Sequence, residues 1–229
     1  MAVPLLAKDV HVCVTDNNAI FLDLKHDRYI GLDASQTEVL RRIMSDEPDT
    51  GTDVDALVAH LIEQQLLTQD SRSGRILRPT EAALPTAGLI GLEYDPPGEV
   101  RWHHVVALSA AYFQVTASLR FRSLAATVAT MSRRQRAARS RCEPVDVEWI
   151  RTLVLAFRRL RPLFYRSRQS CMLDSLVLAS FLAKYRVSAR VVIGVMLGPF
   201  GGHCWVQYDT LVLNDRLEMV TKFTPIMSS

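Results

Sequence analysis

Cysteine is scarce in this chain, and its four cysteines form no recognisable pair. They stand at 13, 142, 171 and 204, with no CxxC spacing and no clustering with histidine. That argues against a zinc finger or ribbon and against a disulfide-built scaffold, so no metal is expected. A long apolar run is missing too. Every oily stretch falls short of the roughly 18 residues that a spanning helix needs, which excludes a helical membrane segment. The opening residues MAVPLLAKDVHVCV lack a basic start followed by a long apolar core, so no export signal is read there. Unpaired thiols without such a signal point to the cytoplasm. A strong charge of one sign is absent as well: 27 Lys and Arg face 24 Asp and Glu, a net +3. Low-complexity segments and internal repeats do not occur.

What remains is a globular composition, 48% hydrophobic and 22% charged over 229 residues. That suits one large domain or two small ones. The first third reads as a unit of its own. HVCVTD alternates like a strand, Asn17 and Asn18 signal a turn, and AIFLDLKHDRYIGLD reads as two further strands hinged at 25–27. DASQTEVLRRIMSD opens on Asp and Ser caps and places Val39, Leu40, Ile43 and Met44 at helical spacing. VDALVAHLIEQQLL is a second helix with Leu57, Val58, Leu61, Ile62 and Leu66 on one face. Three strands and two helices predict a winged-helix-like unit over residues 1–77. Residues 78–100 carry Pro79, Pro85, Pro96 and Pro97 with three glycines, and read as a linker or extended strap.

From Trp102 the pattern is helical, as one bent helix or two, up to a basic loop at RRQRAARSRCEP. VDVEWIRTLVLAFRRL follows as a helix stopped by Pro162. Another helix runs from Cys171 to about Lys184. Then the period changes. ARVVIGVML, HCWVQYD and LVLND read as strands, the last two forming a hairpin. Residues 101–229 are therefore predicted to be α+β, helices first and an antiparallel sheet after. Eleven arginines lie between 133 and 168 against three acids, Glu143, Asp146 and Glu148. Such a belt suits an acidic partner or a solvated helix surface.

The candidate chemistry sits in three short stretches: SCMLD, GGHCW and LVLND. Ser170 is a natural N-cap, which puts Cys171 in the first turn of its helix. Partnerless N–H groups and the helix dipole there favour a thiolate, the nucleophilic form. His203 begins one strand of the hairpin and Asp215 ends the next, so the hairpin returns Asp215 to His203. If the helix packs its N-terminus on that edge, the order is nucleophile, base, orienter. Trp205 shares the His203 side and is expected to line and shield the site. Cys204 should face the other way. Adjacent residues on a helix point about 100° apart, so His103 and His104 make a poor chelate and read as structural. Cys13 and Cys142 have no basic neighbour and read as bystanders.

Residues 171–215 resemble the catalytic core of the transglutaminase-like, papain-fold cysteine proteases. More narrowly they are similar to the B proteins of lasso-peptide biosynthesis. The resemblance rests on Cys171, Ser175-Leu176-Val177-Leu178, Val192-Ile193-Gly194-Val195, Pro199-Phe200, His203, Trp205-Val206 and Val212-Leu213-Asn214-Asp215. Two positions depart from it. Asp174 stands where the family has a basic residue, and Cys204 stands where it has alanine. An acid at 174 is expected to oppose the thiolate modestly.

The resemblance implies a cysteine peptidase that cuts leader from core in a ribosomally made precursor. Cys171 would attack, His203 would move the proton and Asp215 would orient the imidazole, with no cofactor. The Cys171 N–H, and with it the Gln169 side chain, are the candidate oxyanion donors. The implied partners are the lasso precursor peptide, bound through its leader, and an ATP-dependent lasso cyclase; neither nucleic acid nor membrane is expected. Residues 1–77 resemble the family's precursor-recognition domain. A sheet edge there can take up the leader as an added strand, with Tyr29, Ile30 and Leu32 near it. Filling of the small core explains the same three residues equally well.

Two other classes remain open at this stage. One is a non-catalytic peptide- or nucleic-acid-binding module; the lack of Lys or Arg in VDALVAHLIEQQLL counts against a DNA-reading helix. The other is a thiol acyltransferase that uses the same residues with an amine acceptor.

Overall fold

The computed structural model of the chain describes residues 4–15, 17–45, 51–89, 99–139, 145–165 and 170–229, with the backbone alone at 134 and 136–139. It is mixed α+β and divides into two compact units, Met1–Glu81 and Ala82–Ser229.

In unit 1, β1 (Leu5–Leu6), β2 (Val10–Val14), β3 (Ala19–Asp23) and β4 (Arg28–Leu32) precede α1 (Ala34–Met44) and α2 (Thr52–Glu63). Two short strands follow, β5 (Leu67–Thr68) and β6 (Arg75–Ile76). Strands β2, β3 and β4 form an antiparallel sheet in that order, and β1 lies between β5 and β6 in a second one. The second sheet was not expected, because its strands are two residues long and carry no alternation to read. Helix α1 begins where its caps predict. Asp33 accepts from the Gln36 N–H, and the Gln36 side chain accepts from the Asp33 N–H, a complete capping box. Helix α2 stops at Glu63, short of the oily Leu66-Leu67. Gln65 takes a left-handed φ of 60°, and the Leu66 N–H reaches back to the Leu61 carbonyl. The chain thus turns Leu66 and Leu67 into the core beside Phe21, Leu32, Leu40 and Leu61.

Unit 2 starts inside the stretch read as a linker or strap. Ala87–Gly88 form β7, a strand parallel to Leu211–Val212. The helical stretch is two helices, α3 (Trp102–Phe121) and α4 (Leu124–Arg139), separated at Arg122–Ser123, where the Ser123 hydroxyl accepts from the Ala126 N–H. The expected basic loop is helical as far as Arg139. Then come α5 (Val147–Leu160), a 3-10 turn at Arg161–Leu163, and α6 (Cys171–Lys184). Helix α6 is buried nearly all round, from Asp174 to Leu182 apart from Ser180. It packs against α3, α4 and α5 and against the sheet, as a helix without a polar face must. The sheet comprises β8 (Arg190–Leu197), β9 (Phe200–Tyr208), β10 (Leu211–Val212) and β11 (Thr224–Ser228), the last preceded by α7 (Leu217–Val220). Its order is β11-β8-β9-β10-β7.

Candidate active site

Ser170 sets the start of α6. Its backbone is extended, and its hydroxyl accepts from the Leu173 N–H at 3.1 Å. Cys171 is thereby the first helical residue, in the region where N–H groups and dipole favour an anion. Its thiol is held below the ordinary value. The hydrogen bond with His203 acts most strongly; burial opposes it; the Cys204 N–H, the His203 charge and the Met172 N–H add to it.

His203 lies on β9 directly opposite Gly194 of β8. Its Nε2 is 2.6 Å from Asp215 Oδ2, which leaves Nδ1 for the thiol. The imidazole is pushed up to about 9, first by Asp215 and then by Cys171, against the effect of burial. Burial pushes the Asp215 carboxyl up. The bond from His203, the Arg216 N–H at 2.7 Å and the two cationic charges outweigh it, so the carboxyl stays below its usual range. A lowered thiol beside a raised imidazole favours a thiolate–imidazolium pair near neutral pH, an arrangement suited to nucleophilic attack on a carbonyl.

Aromatic rings hold the imidazole. Trp205 lies nearly parallel to it, with centroids 6.2 Å apart and planes at 25°, and Phe223 approaches to 5.1 Å. Trp205 is wholly buried, so it is a floor beneath His203 and not a wall open to substrate. Gly194 makes room for both rings. A Cβ there would lie 2.8 Å from Phe223 Cβ and from two atoms of the Trp205 ring. Phe223 was missed by sequence reasoning. No spacing rule ties 223 to 203; pairing of β11 with β8 brings it there.

Asp174 does not stand as a bare charge beside the thiol. It is buried, and Arg161 Nη1 donates to its Oδ1 at 3.1 Å. Tyr165 Oη donates to the same oxygen at 3.2 Å, and Asn214 Nδ2 donates to Oδ2 at 3.2 Å. The charge is taken up by these partners, and the neighbouring thiol is lowered all the same. Arg161 is thus one member of the arginine belt that is not a solvated surface charge. Arg158 and Arg159 are exposed. The side chains of Arg134, Arg136, Arg139, Arg141, Arg166 and Arg168 lie outside the described residues, as do Gln169 and Cys142.

The remaining candidates separate. Cys204 is fully buried on the far side of β9, and burial pushes its thiol up. Cys13 is buried as well, its thiol pushed up to about 11 mainly for the same reason. His104 is buried and accepts from the Arg101 N–H at 3.2 Å. In unit 1, β4 is an edge strand among the described residues, but Tyr29, Ile30 and Leu32 do not share a face. Leu32 fills the core and Ile30 packs against it, while Tyr29 is half-buried and points to the other side of the sheet. Among the described residues no group of three His, Cys, Asp or Glu could hold a metal, and no helix is long and apolar enough to cross a membrane.

A family model described as the transglutaminase-like superfamily matches residues 111–228. That span runs from the middle of α3 to the last residue of β11 and contains Cys171, His203 and Asp215. No curated protein and no solved structure matches.

Proposed function

The chain belongs to the transglutaminase-like superfamily, and from that premise we propose that it is a cysteine peptidase that removes the leader from a ribosomally made precursor in lasso-peptide maturation. The observation that carries this reading is that His203, bonded to Asp215 through Nε2, is the main cause that lowers the Cys171 thiol. The thiolate attacks the carbonyl that joins leader to core. The oxyanion so formed takes a hydrogen bond from the Cys171 N–H at the head of α6, where the dipole favours negative charge. His203, protonated in the resting pair, gives its proton to the leaving amine, and the acyl-enzyme forms. Water then enters with His203 as base, and hydrolysis frees the thiol. Asp215 holds the imidazole through Nε2 and stabilises its cationic form.

The reading assigns unit 1 to recognition. The open edge of β4 suits an extended leader peptide, which main-chain hydrogen bonds would hold as a fourth strand. Tyr29 is the side chain we place beside it, since Ile30 and Leu32 belong to the core. The cleaved product would pass to an ATP-dependent cyclase. Hydrolysis and acyl transfer share the acyl-enzyme, so the product mass decides between them: a free carboxylate for hydrolysis, an amide for transfer.

The test is Cys171→Ala with the candidate precursor. Cleavage should fall by more than about 10⁴-fold while binding of the intact precursor persists. Equal cleavage by both proteins rejects the reading.

A further inference from the structure

The residues beside the three reactive ones are themselves joined. Asp174 stands three after Cys171, one turn along the same helix. Cys204 follows His203 directly, and Asn214 directly precedes Asp215. Asn214 Nδ2 donates both to Asp174 Oδ2, at 3.2 Å, and to Ser175 Oγ, at 3.1 Å. Ser175 Oγ donates to the Cys204 carbonyl at 3.0 Å, and the Cys204 N–H helps hold the Cys171 thiol below its ordinary value. Asn214 Oδ1 accepts from the Val206 N–H at 2.7 Å, next to the Leu213 N–H bond to the Val206 carbonyl. The side chain of Asn214 therefore continues the hydrogen bonding of β9 past the end of the two-residue β10. The chain enters Asp215 on a fixed course.

The far side of Asp174 is held as firmly. Arg161 and Tyr165, just before the cap of α6, both donate to Oδ1. Burial and the Asp174 charge push the Tyr165 phenol up, so it serves as a donor throughout the working range. Among the described residues, Arg161 Nε is buried without a hydrogen-bond partner, while its Nη1 donates to the carboxylate.

We propose that Asp174, acting through Asn214, is a positioning residue: it locks the first turn of α6 to β9 and to the Asp215 loop, and so sets the distance between the Cys171 sulfur and His203. It touches neither substrate nor the reacting atoms. A bonded network of buried groups holds one arrangement because each broken link leaves a desolvated polar atom. This inference rests on the peptidase reading only in regarding the site as catalytic; the sulfur–imidazole geometry it concerns can be measured without substrate.

The sign of the effect makes the test sharp. Removing the negative charge of Asp174 by itself makes the thiol easier to ionise. Losing the His203 hydrogen bond makes it harder. The experiment is alkylation of the full chain by iodoacetamide across pH, read by mass spectrometry on the peptide carrying Cys171. Asp174→Ala should raise the midpoint by about one pH unit and slow alkylation at pH 7 by about tenfold, with the folded state verified by hydrogen exchange. A midpoint unchanged or lowered in the folded variant overturns the proposal. If Asp174→Ala does not fold, Asn214→Ala, whose side chain is only half-buried, decides between the same two outcomes. A cleavage assay that fails while the midpoint moves as stated counts against the peptidase reading and leaves the positioning role standing.

Discussion

Unit 1 and unit 2 bury polar groups in different ways. Unit 1 has an apolar core around Phe21, Leu40, Leu61 and Leu66, and the polar side chains buried there among the described residues, Asp23 and Thr37, are satisfied separately. Thr37 accepts the Ala19 N–H at 2.9 Å, tying α1 to β3. Asp23 takes up His26 and Arg28 at the β3–β4 turn. In unit 2, Asp174 and Ser175 are linked through one amide, Asn214, directly beneath the thiol. A desolvated polar group costs free energy unless it is bonded, so a connected set is tolerated where it holds geometry. Under the proposed reading, docking falls to the unit with an edge strand at β4, and chemistry to the unit in which Asp174, Ser175 and Asn214 are joined beside the thiol.

The largest expected break comes from the core of unit 1. Leu61 is wholly buried there, and Leu61→Ala should cost about 2–5 kcal/mol. Hydrogen exchange should quicken in peptides of β2, β3, α1 and α2, and precursor binding should weaken. The pH midpoint of Cys171 alkylation should stay where it is. A moved midpoint breaks the division of labour.

Glycines sharpen the same contrast on a smaller scale. Gly194→Ala forces a Cβ against Trp205 and Phe223, which should cost about 1–3 kcal/mol in a packed interior. Because both rings contact His203, cleavage should fall further than stability alone dictates. Gly31 is exposed on β4, and a Cβ there meets nothing within 4 Å. Gly31→Ala should stabilise unit 1 by up to about 1 kcal/mol through the lost freedom of glycine in the unfolded chain. Thermal unfolding of the two variants should shift in opposite directions; shifts of one sign would remove Gly194 as a special position.

The elements that were legible in the sequence are those with a local signature. The Asp and Ser that open DASQTEV announced α1, and Ser170 announced α6 and the place of Cys171 on it. The hairpin of β9 and β10 followed from strand period and turn, although β9 already begins at Phe200 and β10 stops at Val212, short of Asp215. What escaped has a long-range origin. Strands β1, β5, β6 and β7 are two residues each and exist only through their partners. Phe223 reaches His203 through the β11–β8 pairing. The partners of Asp174 escaped as well, because its three donors, Arg161, Tyr165 and Asn214, come together only in the fold. Leu32 stayed open between docking and core because a strand's alternation does not say which face meets the core, and the fold places it in the core.

The smallest effect lies in pH, and it touches the two units at different ends of the scale. In unit 1, burial pushes Asp23 up, but the His26 and Arg28 hydrogen bonds and the His26 charge hold it below its ordinary 3.8. Its contribution is present above that value and is lost as pH falls through the lowered one. In unit 2, His203 is raised from 6.5 to about 9. Its contribution is fully present below 6.5 and is lost as pH rises through about 9. Cys171 is lowered from 9.0 and works in the opposite sense over that window, so the two offset in stability and the change reads out in rate. Cleavage needs a protonated His203 to expel the amine, and alkylation needs the thiolate alone. Raising pH through about 9 should therefore depress cleavage while Cys171 alkylation holds or rises and exchange protection in unit 1 stays level. A fall in alkylation together with cleavage would mean that the alkaline limb reports loss of the fold and not of the imidazolium.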